Sequence, residues 1–201
     1  MAGVFYFSDP HFFHARLAEL RGFGEDVDLH NEALVHNYHS LIKKKDDLVW
    51  ILGDLTIGGT TVEGKALDLL KKLPGRKRLI LGNHDSVSST NRNPEKNYSK
   101  YNEVFEYVGM YVRKRIAGFE VEFSHYPFTR DHKPEPRLME HRRPNYGQWL
   151  FHGHCHDRII KEDQQIHVGL DAHQLTPVPH EQMIAWMQDT RTLITTEDHY
   201  G

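Results

Sequence analysis

An α/β layered fold is the class this chain predicts, on three observations. Through the first 85 residues, short apolar runs alternate with stretches of helical periodicity. Farther on, Ala117-Gly118 separates two strand-like runs as a hairpin turn would. Finally, 201 residues with 38% hydrophobic and 26% charged content have the size and balance of one globular domain. That domain is taken as 1–201, because no repeat, low-complexity tract or linker divides it.

The elements follow in order. Val4 to Ser8 is largely apolar and closes on Asp9-Pro10, which reads as a buried strand entering a turn. Asp28 can cap a helix near 29–43, where Leu34, Tyr38, Leu41 and Ile42 recur at helical spacing. Leu48 to Leu52 is a second buried strand, ended by Gly53-Asp54. Thr60 and Glu63 are spaced as a capping box before a helix with Ala66, Leu69, Leu70 and Leu73 on one face. Pro74-Gly75 stops that helix, and Leu79 to Leu81 is a third strand. The polar, turn-rich stretch 86–100 reads as a loop. Met110 to Ile116 and Phe119 to Phe123 flank the hairpin turn, and Trp149 to Phe151 and Ile166 to Leu170 are further strands. A last helix is expected over 180–188, after Pro177 and Pro179.

Composition narrows the functional classes. A single cysteine excludes an intramolecular disulfide and suits a reducing compartment. The opening residues lack a basic n-region and a long apolar core, and no run approaches the ~18 apolar residues of a membrane span. A cytoplasmic protein without a membrane partner is therefore expected. The net charge of -3 provides no global basic field, so nucleic acid is not the favoured partner. Of the 16 histidines, His30, His36, His39, His167, His173, His180 and His199 are expected to be ordinary surface residues.

Five fragments carry the chemistry: Asp9-Pro10-His11, Gly53-Asp54, Gly82-Asn83-His84-Asp85, Ser124-His125 and Gly153-His154-Cys155-His156. Each is weak evidence alone, since Asp, Asn and Gly are common turn residues and a single histidine is usually just hydrogen-bonded. Jointly, and mostly at strand ends, they place imidazoles, carboxylates and an amide where a rigid sheet can hold them. Asp54 has two oxygens and can bridge two ions. Asn83 offers a neutral oxygen, and His154 and His156 point the same way if their segment is extended. This mixed donor set suits two divalent ions of the Mn, Fe, Zn, Co or Ni type better than a pure Ca or Mg site. Two such ions ~3.5–4 Å apart can clamp a phosphate and activate water.

These residues resemble the five-part signature of the calcineurin-like metallophosphoesterases, over residues 4 to about 170. The opening Phe7-Ser8-Asp9-Pro10-His11-Phe12-Phe13-His14 is similar to that of the small single-domain bacterial and phage members. The resemblance implies two mixed β-sheets packed as a sandwich flanked by α-helices, with two metal ions, Mn²⁺ first, at one end. It implies Asp9, His11, Asp54 and His156 on one ion. Asp54, Asn83, His125 and His154 would hold the other. It places His84 over the leaving group as general acid or charge stabiliser, with Asp85 orienting it or a ligand, or serving only as a turn residue.

The substrate class is narrowed by departures from the family's other branches. Leu55-Thr56-Ile57-Gly58-Gly59 replaces the Val-Asp-Arg-Gly stretch of the protein phosphatases. A small phosphodiester, such as a cyclic nucleotide, is the leading expectation. A phosphomonoesterase, a nuclease or a non-catalytic protein-binding scaffold are the alternatives. His14, Arg142 and Arg143 are candidate substrate contacts, the arginines from a mixed-charge 130–143 loop, and Tyr98, Tyr101 and Tyr146 are candidates to stack a base. A structural metal protein is disfavoured because no Cys/His knot is present.

Overall fold

The computed structural model describes residues 2–131, 133–135 and 137–200. The alternating run becomes β1 (Val4–Phe7), α1 (Ala15–Leu20), α2 (Val27–Leu41), β2 (Leu48–Ile51), α3 (Thr60–Lys72) and β3 (Arg76–Ile80). Next come α4 (Tyr98–Asn102), β4 (Tyr107–Gly109) and the hairpin β5 (Tyr111–Ile116) and β6 (Phe119–Ser124). The chain continues through β7 (Trp149–His152), β8 (Ile159–Glu162), β9 (Gln165–His167) and β10 (Val178–Pro179). It ends with α5 (His180–Gln188), β11 (Leu193–Thr195) and α6 (Thr196–Tyr200).

Two mixed sheets result. The first runs β10-β1-β2-β3-β4, parallel from β1 to β4 with β10 antiparallel at its edge. The second runs β11-β8-β9-β7-β6-β5, where β6, β7 and β9 are parallel and the other pairs antiparallel. The two-residue period of a strand sorts the core into two layers. Tyr6, Trp50 and Ile80 face the second sheet's Phe123, Phe151 and Ile166, and α5 adds Met183 and Trp186. Phe7, Val49, Ile51 and Leu79 face the other way, onto Leu34 and Tyr38 of α2 and Ala66, Leu67 and Leu70 of α3. A sandwich with helices outside is thus what the sequence pattern builds. The described part of the 127–148 segment lies over the outer face of the second sheet, where Phe128 N–H donates to the Gln165 amide at 2.7 Å.

Several local expectations are corrected. The cap of α2 is Asp26, which accepts from Leu29 N–H at 2.8 Å, rather than Asp28 inside the first turn. Thr60 and Glu63 form no capping box, because Gly59 occupies the cap position. Glu63 turns inward to accept from Ser86 N–H, Ser86 Oγ–H and the Tyr101 hydroxyl. The 86–100 stretch contains a 3-10 turn at Pro94–Asn97 and the start of α4. Strands β4, β10 and β11 are too short to show a sequence period. His30, His167 and His173 are buried rather than exposed, and Tyr101 is fully buried and so unable to stack a base. Among the described residues, no helix is long and apolar enough to cross a membrane.

Candidate metal centre

Parallel pairing brings the carboxyl ends of β1, β2 and β3 to one edge, and those of β6 and β7 meet them from the second sheet. The backbone stitches these ends together. Asp9 N–H donates to Gly53 O at 3.0 Å, Gly153 N–H to His125 O at 2.9 Å and His154 N–H to Asp9 Oδ2 at 2.9 Å. Glycine is required where the ends touch: a Cβ on Gly82 would lie 2.1 Å from Asp54 Oδ1, and one on Gly153 would lie 2.0 Å from Ser8 Oγ. Asp9, His11, Asp54, His154 and His156 all adopt positive φ, between 44° and 73°. Such backbone costs on the order of 1–3 kcal/mol per residue and clusters at functional sites.

Two groups of side chains converge there. Asp9, His11 and His156 form one, and Asp54, His125 and His154 the other; within each, candidate ligand atoms lie within 4.8 Å of one another. Asp54 joins them. Its Oδ2 is 3.8 Å from His11 Nε2 and 3.4 Å from His125 Nε2. Asp9 Oδ1, His11 Nε2, Asn83 Oδ1 and His125 Nε2 are all buried with no hydrogen-bond partner among the described residues. Orphaned polar atoms at this density are costly unless a cation satisfies them, so the donor set fits two divalent ions.

Electrostatics separates the imidazoles. Burial lowers His11 to about 3, so it is neutral and ready to ligate. Burial also opposes charge on His125, but the Asp54 carboxylate outweighs it and pushes His125 up to about 10. Asp54 itself is held well below the usual carboxylate range, because His125 and the other imidazoles overcome its burial.

The remaining expected residues fall in three places. His84 flanks the cluster, its ring 5.6 Å from that of His11. Its N–H donates to Asp54 Oδ1 at 2.9 Å, and its Nδ1–H donates to Ile57 O at 3.0 Å. His14 stands on the same side, 5.6 Å from His11 between ring centres, and caps α1 by accepting from Leu17 N–H at 3.4 Å. Asp85 does not reach His84's ring. It accepts from Asp54 N–H, Gly82 N–H and Leu55 N–H at 3.1, 2.8 and 3.0 Å, so it ties two ligand loops together.

The side chains of Arg142 and Arg143 are held by other groups of the protein. Arg142 is buried and spends its donors on Pro127 O, Arg130 O, Arg137 O and Asp131. Arg143 bonds Glu122 at 3.1 Å and stacks 3.8 Å over Tyr111, on the second sheet. Tyr146 is 78% exposed and lines a surface cleft with Arg113 and Glu120.

Three residues escaped the sequence reading. Asp171 lies 2.9 Å from His156 Nδ1, Asp131 lies 3.2 Å from His154 Nε2, and Arg21 pairs with Asp171 at 2.8 Å. Gly169-Leu170-Asp171 sets an acid two residues after a glycine and four past the end of β9, which was a usable signal. Asp131, inside a mixed-charge loop, carried none.

Comparison with known proteins agrees with this geometry. The chain is 39% identical to the Gene 66 protein of Mycobacterium phage L5, over 86% of this chain and 88% of the relative. It is 41% identical to the Gene 66 protein of Mycobacterium phage D29, over 89% and 93%. Among solved structures it resembles a protein of unknown function from Aquifex aeolicus, with a TM-score of 0.66 and 20% identity, covering 92% of this chain and all of that one. The profile of the calcineurin-like phosphoesterase superfamily domain matches residues 7–175, so the chain belongs to that superfamily and is a metal-dependent phosphoesterase.

Proposed function

We propose that the protein is a dinuclear phosphodiesterase acting on small diesters, cyclic nucleotides among them. Asp9, His11, Asp54 and His156 hold one ion. Asp54, Asn83, His125 and His154 hold the other, with Mn²⁺ the first choice. The observation that carries this reading is Asp54, whose Oδ2 lies 3.8 Å from His11 Nε2 in one group and 3.4 Å from His125 Nε2 in the other. When bound, two such ions would supply Lewis acidity toward phosphoryl oxygens and make a water nucleophilic at neutral pH.

The chain's own residues do the rest. Ile57 O accepts the Nδ1–H of His84, so it is the doubly protonated ring that carries a second proton on Nε2 to give to the leaving oxygen. His14 accepts through Nδ1, so its Nε2–H is free to donate to a phosphoryl oxygen. Burial lowers the His14 pKa, with His84 and His156 adding to it, which favours a neutral donor. Asp85 holds the Asp54 and Gly82 backbones, so it acts on ligand position rather than on protons.

The test is metal-stripped protein reconstituted with Mn²⁺ and given bis-p-nitrophenyl phosphate or p-nitrophenyl phosphate. Faster diester cleavage supports the proposal and directs a screen to cyclic nucleotides. Faster monoester cleavage makes the protein a phosphatase, and no turnover with any divalent ion favours a scaffold.

A further inference from the structure

Each candidate metal group carries its own Asp–Arg pair, Arg21 with Asp171 for one and Arg142 with Asp131 for the other. In the first, Asp171 Oδ2 accepts from His156 Nδ1 at 2.9 Å and from Arg21 Nη2 at 2.8 Å, while Arg21 Nε bonds Asp171 Oδ1 at 2.8 Å. Arg21 also donates to Asp9 O at 2.8 Å and Pro10 O at 3.1 Å. It thereby joins the Asp9-Pro10-His11 loop to His156, which are the members of one group. In the second, Asp131 Oδ2 accepts from His154 Nε2 at 3.2 Å and from Arg142 Nη2 at 2.9 Å. Arg142 also donates to Pro127 O at 3.0 Å, and so joins the chain just past His125 to His154, both members of the other group.

A carboxylate on the far ring nitrogen fixes an imidazole's tautomer and angle and strengthens it as a ligand. Here it leaves Nε2 of His156, 3.7 Å from Asp9 Oδ1, facing the first group, and leaves Nδ1 of His154 for the second. An arginine's planar fork holds the carboxylate in turn.

On the dinuclear reading above, we propose that Asp171–Arg21 and Asp131–Arg142 are two independent positioning clamps, each setting the affinity of one ion and not the other. Asp171 governs the ion of Asp9, His11 and His156. Asp131 governs the ion of Asp54, His125 and His154.

The experiment is calorimetric titration of Mn²⁺ into metal-free wild type, Asp171→Asn and Asp131→Asn, with melting of each metal-free protein beside it. Wild type should show two sites, and each variant should weaken one of them ~10–100-fold. A His11→Ala background assigns the sites: its remaining site should ignore Asp171→Asn and weaken with Asp131→Asn. If either substitution prevents folding, Arg21→Gln and Arg142→Gln leave the aspartates in place and should show the same site preference, more weakly. Lower melting temperatures with both affinities unchanged would mean a purely structural role and overturn the clamps. Equal weakening of both sites by each variant would overturn their independence. Wild type that binds no Mn²⁺ would instead sink the dinuclear reading itself.

Discussion

The loops at the strand ends and the 127–148 segment both reach the candidate centre, but they do so by different physics. Each loop is one to four residues beyond a strand, pinned by sheet hydrogen bonds and by strained backbone at Asp9, Asp54 and His154. Among its described residues the segment has no strand or α-helix of its own and is held by arginine. Arg142 alone bonds three backbone carbonyls and the Asp131 carboxylate. The loops therefore present ligands, and the segment supports one of them, His154, from behind. Rigid sheet ends can be precise with few supporting contacts, whereas an irregular segment needs a buried charge network to be equally precise.

The largest effect should come from breaking the loops at their shared point. Asp54→Ala removes a carboxylate that lies beside a histidine of each group, so both ions and all turnover above background should be lost. Elemental analysis after dialysis against Mn²⁺ checks this, and retention of one tight ion would show that Asp54 is not shared. His84→Ala comes next. It should lower turnover by ~10²–10⁴ while both ions stay bound, because His84 meets the cluster through its N–H and its ring position. Near-wild-type turnover would remove His84 from the chemistry.

The loops should also differ among themselves with pH. In the metal-free protein His125 stays protonated up to about 10, whereas His11 is already neutral above about 3. Capture of an ion by His125 must then expel a proton, so Mn²⁺ affinity should rise about tenfold per pH unit between pH 7 and 9. The sign reverses for folding without metal. A histidine whose folded pKa is raised stabilises fully below its unfolded value of 6.5, and that stability is lost as pH rises toward about 10. The metal-free melting temperature should fall across that window; a flat profile would mean that Asp54 and His125 are not paired.

What was legible in the sequence follows from the same contrast. The ligand loops could be read because a buried strand has an apolar run, its end is marked by glycine, and a ligand type follows at once, as in Leu52-Gly53-Asp54. The layered fold was legible for that reason too. Short strands such as β4 and β11 were not, since three residues carry no period. Nor was the cap at Asp26, because Asp26 and Asp28 offer the helix equivalent oxygens and only the backbone selects between them. Asp131 and Arg142 were invisible as a pair: nothing local distinguishes a buried arginine from a solvated one in a run of alternating charge.

That last ambiguity gives the finest test of the comparison. Arg142 and Arg143 are adjacent and identical in type, yet their side chains are 2% and 22% exposed. Arg142→Ala leaves the buried Asp131 carboxylate with less compensation and should cost about 3 kcal/mol of stability. Arg143→Ala loses a stacking contact with Tyr111 and a bond to Glu122, but Arg113 still reaches Glu122 at 2.6 Å. Its cost should be ~1 kcal/mol or less, with kcat and KM unchanged. Chemical denaturation of both variants, beside diester kinetics, separates the two roles. A raised KM in Arg143→Ala with normal stability would place that guanidinium on the substrate after all. It would also mean that the segment presents chemistry as the loops do.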